Sequence, residues 1–306
     1  MTAALTLTKL KNKNFFAAGL HFLSFLVVLI FYTATKGSHS RSSFKFYRNT
    51  IADSADGTCS TVVPFVQPSQ CDVTVGLTKP KEVGQVNLIY GTLAFFAITC
   101  VAHIYYGTDG FGSGSYSHAI RQGWNPYRWF EYAASAGVMS ILIGLTEGVN
   151  DASSLFALLI MTMAMMFNGF SVESLLRGSN KITADTRTSI SASTLSGWAL
   201  FIGIWTIIIY NFSMVVSDVK KKNFTLDGKK VGVPTWIWII VIMQLVYYAL
   251  FGLLQRNHIA KRLGNDANYN YLDTENSYLQ LSFTAKLSLA SGLAYGLIFR
   301  TRDCPE

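Results

Sequence analysis

Seven long apolar runs, separated by short polar breaks, organise the chain. They cover residues 15–35, 83–106, 125–147, 152–176, 195–216, 234–254 and 278–299. Each is close to the roughly 20 residues that a helix needs to cross the hydrocarbon of a bilayer. The breaks are rich in Gly, Ser, Asp and Lys, as in the stretch from Gly107 to His118 and the stretch from Asp218 to Lys230. Pro126 and Pro234 stand near helix starts, where a missing N–H costs little. The pattern predicts an all-α bundle of seven transmembrane helices, forming one domain over residues 1–306. The first run follows a polar start with no small-residue cleavage signature after it, so it reads as an uncleaved span.

The longest polar segment, residues 36–82, lies between the first two runs. Its short alternating stretches, Phe44-Lys45-Phe46-Tyr47 among them, suggest a small strand cap. An irregular loop held by a Cys59–Cys71 disulfide fits the same segment. Cys100, inside an apolar run, reads as a packed thiol.

Composition agrees with a membrane setting. Charged residues make up 14% of the chain, against about 25% in soluble domains. A soluble bundle this apolar would lack the charge to cover its surface. The net charge of +8 is spread over the breaks and not gathered on one element, so it points to lipid headgroups and not to nucleic acid. The lysines at 9, 11 and 13 favour a cytoplasmic N-terminus, but basic residues are abundant on both faces. The Cys pair and an Asn223-Phe224-Thr225 sequon share one face, which favours placing that face outside. No metal-ligand spacing is present.

Ionisable groups inside the runs carry the chemistry, because charge in hydrocarbon demands an explanation. Lys286 stands near the middle of the seventh run. It needs a carboxylate partner, a water cavity or a covalent modification. A shielded amine is also suited to forming a Schiff base with an aldehyde. Glu131, early in the third run, is the partner or counterion expected for it. Arg128 lies one turn before Glu131, and Ser135 and Met139 lie one and two turns beyond it. Ser282 precedes Lys286 by one turn. From the residues alone, a structural Lys286–Glu131 ion pair and a cofactor site stand equal, and Arg128 can be a snorkelling interfacial residue. His21 and His103 lie in apolar runs and suit either a polar cavity or a hydrogen-bonded core. Glu147 and Glu173, near run ends, are assigned to interfaces. Trp236 and other rings of the sixth run, with the methionines of 161–167, offer the flat and flexible walls of a slot.

Two stretches resemble a known family. Arg128-Trp129-Phe130-Glu131-Tyr132, with Ser135, Ala136 and Met139 behind it, is similar to the third-helix signature of heliorhodopsins. Ser282-Phe283-Thr284-Ala285-Lys286 is similar to their retinal attachment site. The resemblance covers all seven runs and the first loop. It implies all-trans retinal on Lys286 as a protonated Schiff base, Glu131 as counterion, and all-trans to 13-cis photoisomerisation. It further implies a polar cavity with His21 and His103, an N-inside and C-outside topology in the plasma membrane, a β-hairpin in the first extracellular loop, and a homodimer. The function implied is a slow-photocycle light sensor with an unidentified signalling partner, and not an enzyme. A light-gated or light-driven proton transporter and a non-photoactive transporter or receptor are the alternatives. A pump wants a second deep carboxylate, and no candidate stands out.

Overall fold

A computed structural model describes residues 6–34, 43–50, 79–178, 182–222, 225–226, 229–230, 232–264, 266 and 269–296. The order of elements is α1 (Leu7–Ala34), β1 (Ser43–Thr50), β2 (Lys79–Asn87), α2 (Leu88–Gly107), α3 (Ser115–Arg121), α4 (Pro126–Thr146), α5 (Ala152–Leu176), α6 (Ala184–Lys222), β3 (Thr225–Leu226), β4 (Lys229–Lys230), α7 (Thr235–Leu263) and α8 (Tyr271–Ala294). Cys59, Cys71, Cys304 and the sequon's Asn223 lie outside the described residues.

Six helices, α1, α2, α4, α5, α6 and α7, are long and apolar enough to cross a membrane. The protein is therefore an integral, multi-pass helical bundle. The helix α8 has 24 residues, enough to cross, but it carries Asp273, Glu275, Lys286 and several hydroxyls and falls outside that apolar group. It also begins seven residues before the expected run. Asn270 caps it by accepting from Leu272 N at 3.1 Å, and Tyr271, Glu275 and Tyr278 of its first turns are buried.

Asn and Asp set the other helix starts. Asn87 caps α2, Asn125 caps α4 with Pro126 in the first turn, and Asp151 caps α5. On α1 the buried positions Leu10, Asn14, Ala17, Ala18, His21, Val28 and Tyr32 form one stripe at helical spacing. The rest of that helix presents Phe16, Phe22, Leu23 and Ile30 outward, as a lipid-facing surface would. Lipid offers helices little hydrophobic drive to associate, so close packing must hold them. Small residues permit it: a Cβ on Gly144 would strike Leu158, and one on Gly169 would strike the Trp129 ring.

Between α1 and α2, β1 and β2 pair antiparallel with an irregularity between Phe46 and Tyr47. The hairpin is tied to the bundle where Tyr47 N donates to Asn150 O at 2.8 Å, in the α4–α5 connection. Phe44 and Phe46 pack on the main core beside Val86. The opposite end of the bundle is fastened by polar links. Lys11 Nζ reaches Asp109 at 3.3 Å, and Lys13 Nζ reaches Asn276 at 2.7 Å.

Candidate functional site

The two ends of the bundle differ in chemistry, and the site lies between them. Toward the hairpin end, the core is Phe95, Phe96, Leu142, Ile143, Leu289 and Leu293, all nearly free of solvent contact. Toward the N-terminal end, polar groups enter from α1, α2, α4, α5 and α8.

At the junction α8 brings Lys286 against α4. Its Nζ lies 2.6 Å from Glu131 Oε1, and both side chains are at most 5% exposed. Thr99 on α2 donates its hydroxyl to the same oxygen at 2.7 Å. The Lys286 ammonium also sits 5.2 Å from the centre of the Tyr132 ring. A charged pair this deep holds only when its hydrogen bonds are satisfied. Glu131 receives two donors on one oxygen.

Beside the pair is a cleft of about 920 Å³, counting its open side. Trp129, Tyr132, Met139, Met166, Trp198, Phe201, Tyr248 and Phe251 form apolar walls, and Ser135, Ser282 and Lys286 supply polar points. Ser135 Oγ is buried with no hydrogen-bond partner among the described residues. A slot with flat walls, one reactive amine and an unpartnered hydroxyl fits a long conjugated aldehyde. Lys286, Ser135, Met139 and Ser282 thus converge as expected. Trp236 does not join them. It lines a separate groove with Ile239, Ser288 and Tyr295 near the start of α7. Tyr248, one of several sixth-run rings considered, does reach the cleft, and its hydroxyl donates to Ala136 O at 3.3 Å.

The histidines stack on each other, with ring centres 5.4 Å apart and planes 7° off parallel. His103 Nδ1 lies 2.8 Å from Asn14 Oδ1. His21 is fully buried, and neither of its nitrogens has a partner among the described residues. Its ring meets Phe283, one turn before Lys286 on α8. Two imidazoles and Asn14 therefore form a buried polar group on the N-terminal side of Glu131.

Arg128 is not an interfacial residue. Its side chain is 2% exposed and pairs with both Glu173 and Glu275. Glu173 and Glu147, expected at interfaces, are also fully buried. The apparent distance of Glu173 from mid-span misled, because the bundle's end is closed by α3, α8 and aromatic rings. Glu275 was not singled out from the sequence at all. Its neighbours Thr274, Asn276 and Ser277 read as a polar break, and the usable signal was the need of Arg128 for a buried partner.

A family model described as Heliorhodopsin matches residues 10–297. The chain belongs to the heliorhodopsin family. Heliorhodopsins are retinal-binding photoreceptors, and family membership implies retinal binding typical of them. No curated protein matches the sequence.

Proposed function

We propose that this heliorhodopsin is a light sensor carrying all-trans retinal on Lys286, with Glu131 as its counterion. The observation that carries the reading is the 2.6 Å Lys286–Glu131 pair at the edge of the aromatic cleft. When bound, retinal supplies visible absorption and an all-trans to 13-cis isomerisation about a protonated Schiff base. The protein's part is to hold the cation and the chain in place. Glu131 fixes the positive charge, and Thr99 fixes Glu131. Ser135 and Ser282 offer hydroxyls beside the cation, and Met139, Trp129 and Tyr248 confine the walls. His21 and His103 place two stacked imidazoles beside the pair on the N-terminal side.

The sensor reading is favoured over a transporter by the far half of α4. Beyond Ser135 its buried hydroxyls are Ser140 and Thr146, and each donates to a backbone carbonyl of its own helix, at 2.8 Å from Gly137 O and Ile143 O. Around them the core is apolar up to Glu147, a buried carboxyl at the hairpin end whose Oε1 lies 3.4 Å from the Thr146 hydroxyl, and among the described residues no hydrogen-bonded chain of side chains joins it to Lys286. In this reading α8 is the seventh span. The protein sits in the plasma membrane with its N-terminus cytoplasmic and its C-terminus outside, in contact with lipid. It forms a homodimer and passes its signal to a partner protein.

Expression with all-trans retinal tests this. The account expects a visible band that is absent from Lys286→Ala, together with negligible photocurrent under voltage clamp. A well-folded wild type without any visible band contradicts it, and a sustained photocurrent selects the transporter reading.

A further inference from the structure

Two ion clusters stand back to back on the first turns of α4. Glu131 meets Lys286, and one turn earlier Arg128 meets Glu173 and Glu275. All five side chains are at most 5% exposed. Two cations face three carboxylates, so full ionisation leaves one uncompensated negative charge where water cannot screen it.

The surrounding groups do not supply the missing positive charge. From α7, Arg262 is turned to Leu176 O at 2.7 Å and to the Tyr269 ring. His258 Nδ1 lies 2.6 Å from the Tyr269 hydroxyl, and its ring touches Tyr271 and not a carboxylate. From α8 come Tyr271 and Tyr278, from α3 Tyr116 and from α2 Tyr106, all buried phenols. His103 is bonded to Asn14 on the other side of Glu131.

Donor placement distinguishes the two carboxylates. Glu173 accepts from Arg128, from Trp129 Nε1 at 2.9 Å and from Asn125 N at 3.1 Å. Glu275 accepts from Arg128 and from Asn125 Nδ2 at 2.6 Å. The Tyr271 hydroxyl lies between them, 3.3 Å from Glu173 Oε2 and 3.5 Å from Glu275 Oε2. It has one proton and can donate to one side only.

We propose that this cluster is a proton-binding site, in which Glu275 keeps the proton and donates its O–H as a hydrogen bond to the Tyr271 hydroxyl, which in turn donates its own to Glu173. The arrangement leaves Glu173 ionised and most richly supplied with donors, and it balances the five groups at two positive and two negative charges. Its occupancy changes the field at Glu131, one turn along α4 from Arg128, and at Lys286, which Glu131 contacts. Only this optical consequence rests on the retinal reading.

Infrared spectroscopy of the retinal-free protein reads the proton directly. The expected result is a protonated carboxyl C=O component, beyond any from the buried Glu147, that disappears in Glu275→Gln and changes frequency in Glu275→Asp but not in Glu173→Asp. A wild type whose C=O region is the same as that of Glu275→Gln overturns the proposal. If Glu275→Gln does not fold, Glu275→Asp must move the band, and an unmoved band overturns it equally. In the retinal-bound protein, alkaline titration should shift the visible band to shorter wavelength as the cluster loses its proton, and Glu275→Gln should lack that step. The same step in Glu275→Gln contradicts the proposal. A protein that forms no pigment defeats the retinal reading, while the infrared result still decides the proton.

Discussion

Removing the Glu131 carboxylate strands the Lys286 charge in a place with no substitute acceptor among its described contacts. For a buried pair the loss of one partner costs about 3–5 kcal/mol, reduced here to the extent that Lys286 can shed its proton. Glu131→Gln should therefore lower the melting temperature of the retinal-free protein. With retinal bound, it should move the visible band to longer wavelength, because the ground-state cation loses its nearest anion. An unshifted band in Glu131→Gln argues for a different counterion. A second residue-scale expectation lies outside the spans. Burial pushes the Asp109 carboxyl up, but hydrogen bonds from Ser117 Oγ and N and the Lys11 ammonium outweigh it and hold it below the usual range. Its folded pKa being depressed, the stability it adds is present above the ordinary carboxylate pKa and is lost as pH falls through the folded value. Asp109→Asn should cost about 1 kcal/mol near neutrality. The gap from wild type should close below about pH 4 in thermal melts. Lys286 and Glu131 were legible as residues because charge inside an apolar run has few explanations. Glu275 was not, since its flanking polar residues mimic a loop and only the burial supplied by Arg128, Asn125 and Tyr271 reveals it.

At the scale of elements, hydropathy located α5 to the residue, at Ala152–Leu176, because Asp151 caps one end and a Gly follows the other. It placed α8 too late, because hydropathy cannot recognise polar residues that a neighbouring helix satisfies. It also saw α6 as a 22-residue span, residues 195–216, whereas the helix runs through Ala184–Lys222 with polar extensions at both ends. The hairpin was legible in its first strand from Phe44, Lys45, Phe46 and Tyr47. Its docking was not, since the tie is a backbone bond from Tyr47 to Asn150 that no side-chain pattern encodes. The α4–α5 contact offers a direct test of packing around the cleft. Gly169 lies under the Trp129 ring, and a Cβ there must push that ring. Trp129 both walls the cleft and donates to Glu173 at 2.9 Å. Gly169→Ala should destabilise by about 1–3 kcal/mol and shift the visible band. An unchanged melting temperature and spectrum would show that Trp129 is not confined there.

Across the whole molecule, polarity is divided along the bundle axis. The N-terminal half holds His21, His103, Glu131, Arg128, Glu173 and Glu275, and the hairpin half is packed with Phe, Leu and Ile around a single buried carboxyl among the described residues, Glu147. Under the proposed function, light absorbed at Lys286 rearranges charge mainly on the polar side, which suits signalling toward that side. Under the proposed topology that side is the cytoplasm. An N-terminal tag should be shielded from an impermeant probe on intact cells and a C-terminal tag exposed, and the reverse result contradicts the topology. Composition and hydropathy made the membrane class plain, but the charge count could not choose a direction because both faces are basic. The central claim is the covalent attachment of retinal to Lys286. Borohydride reduction of the retinal-reconstituted protein, followed by proteolysis and mass spectrometry, measures it most directly. The expected result is a retinyl adduct on the peptide that contains Lys286, and an unmodified Lys286 or an adduct on another lysine would contradict the attachment.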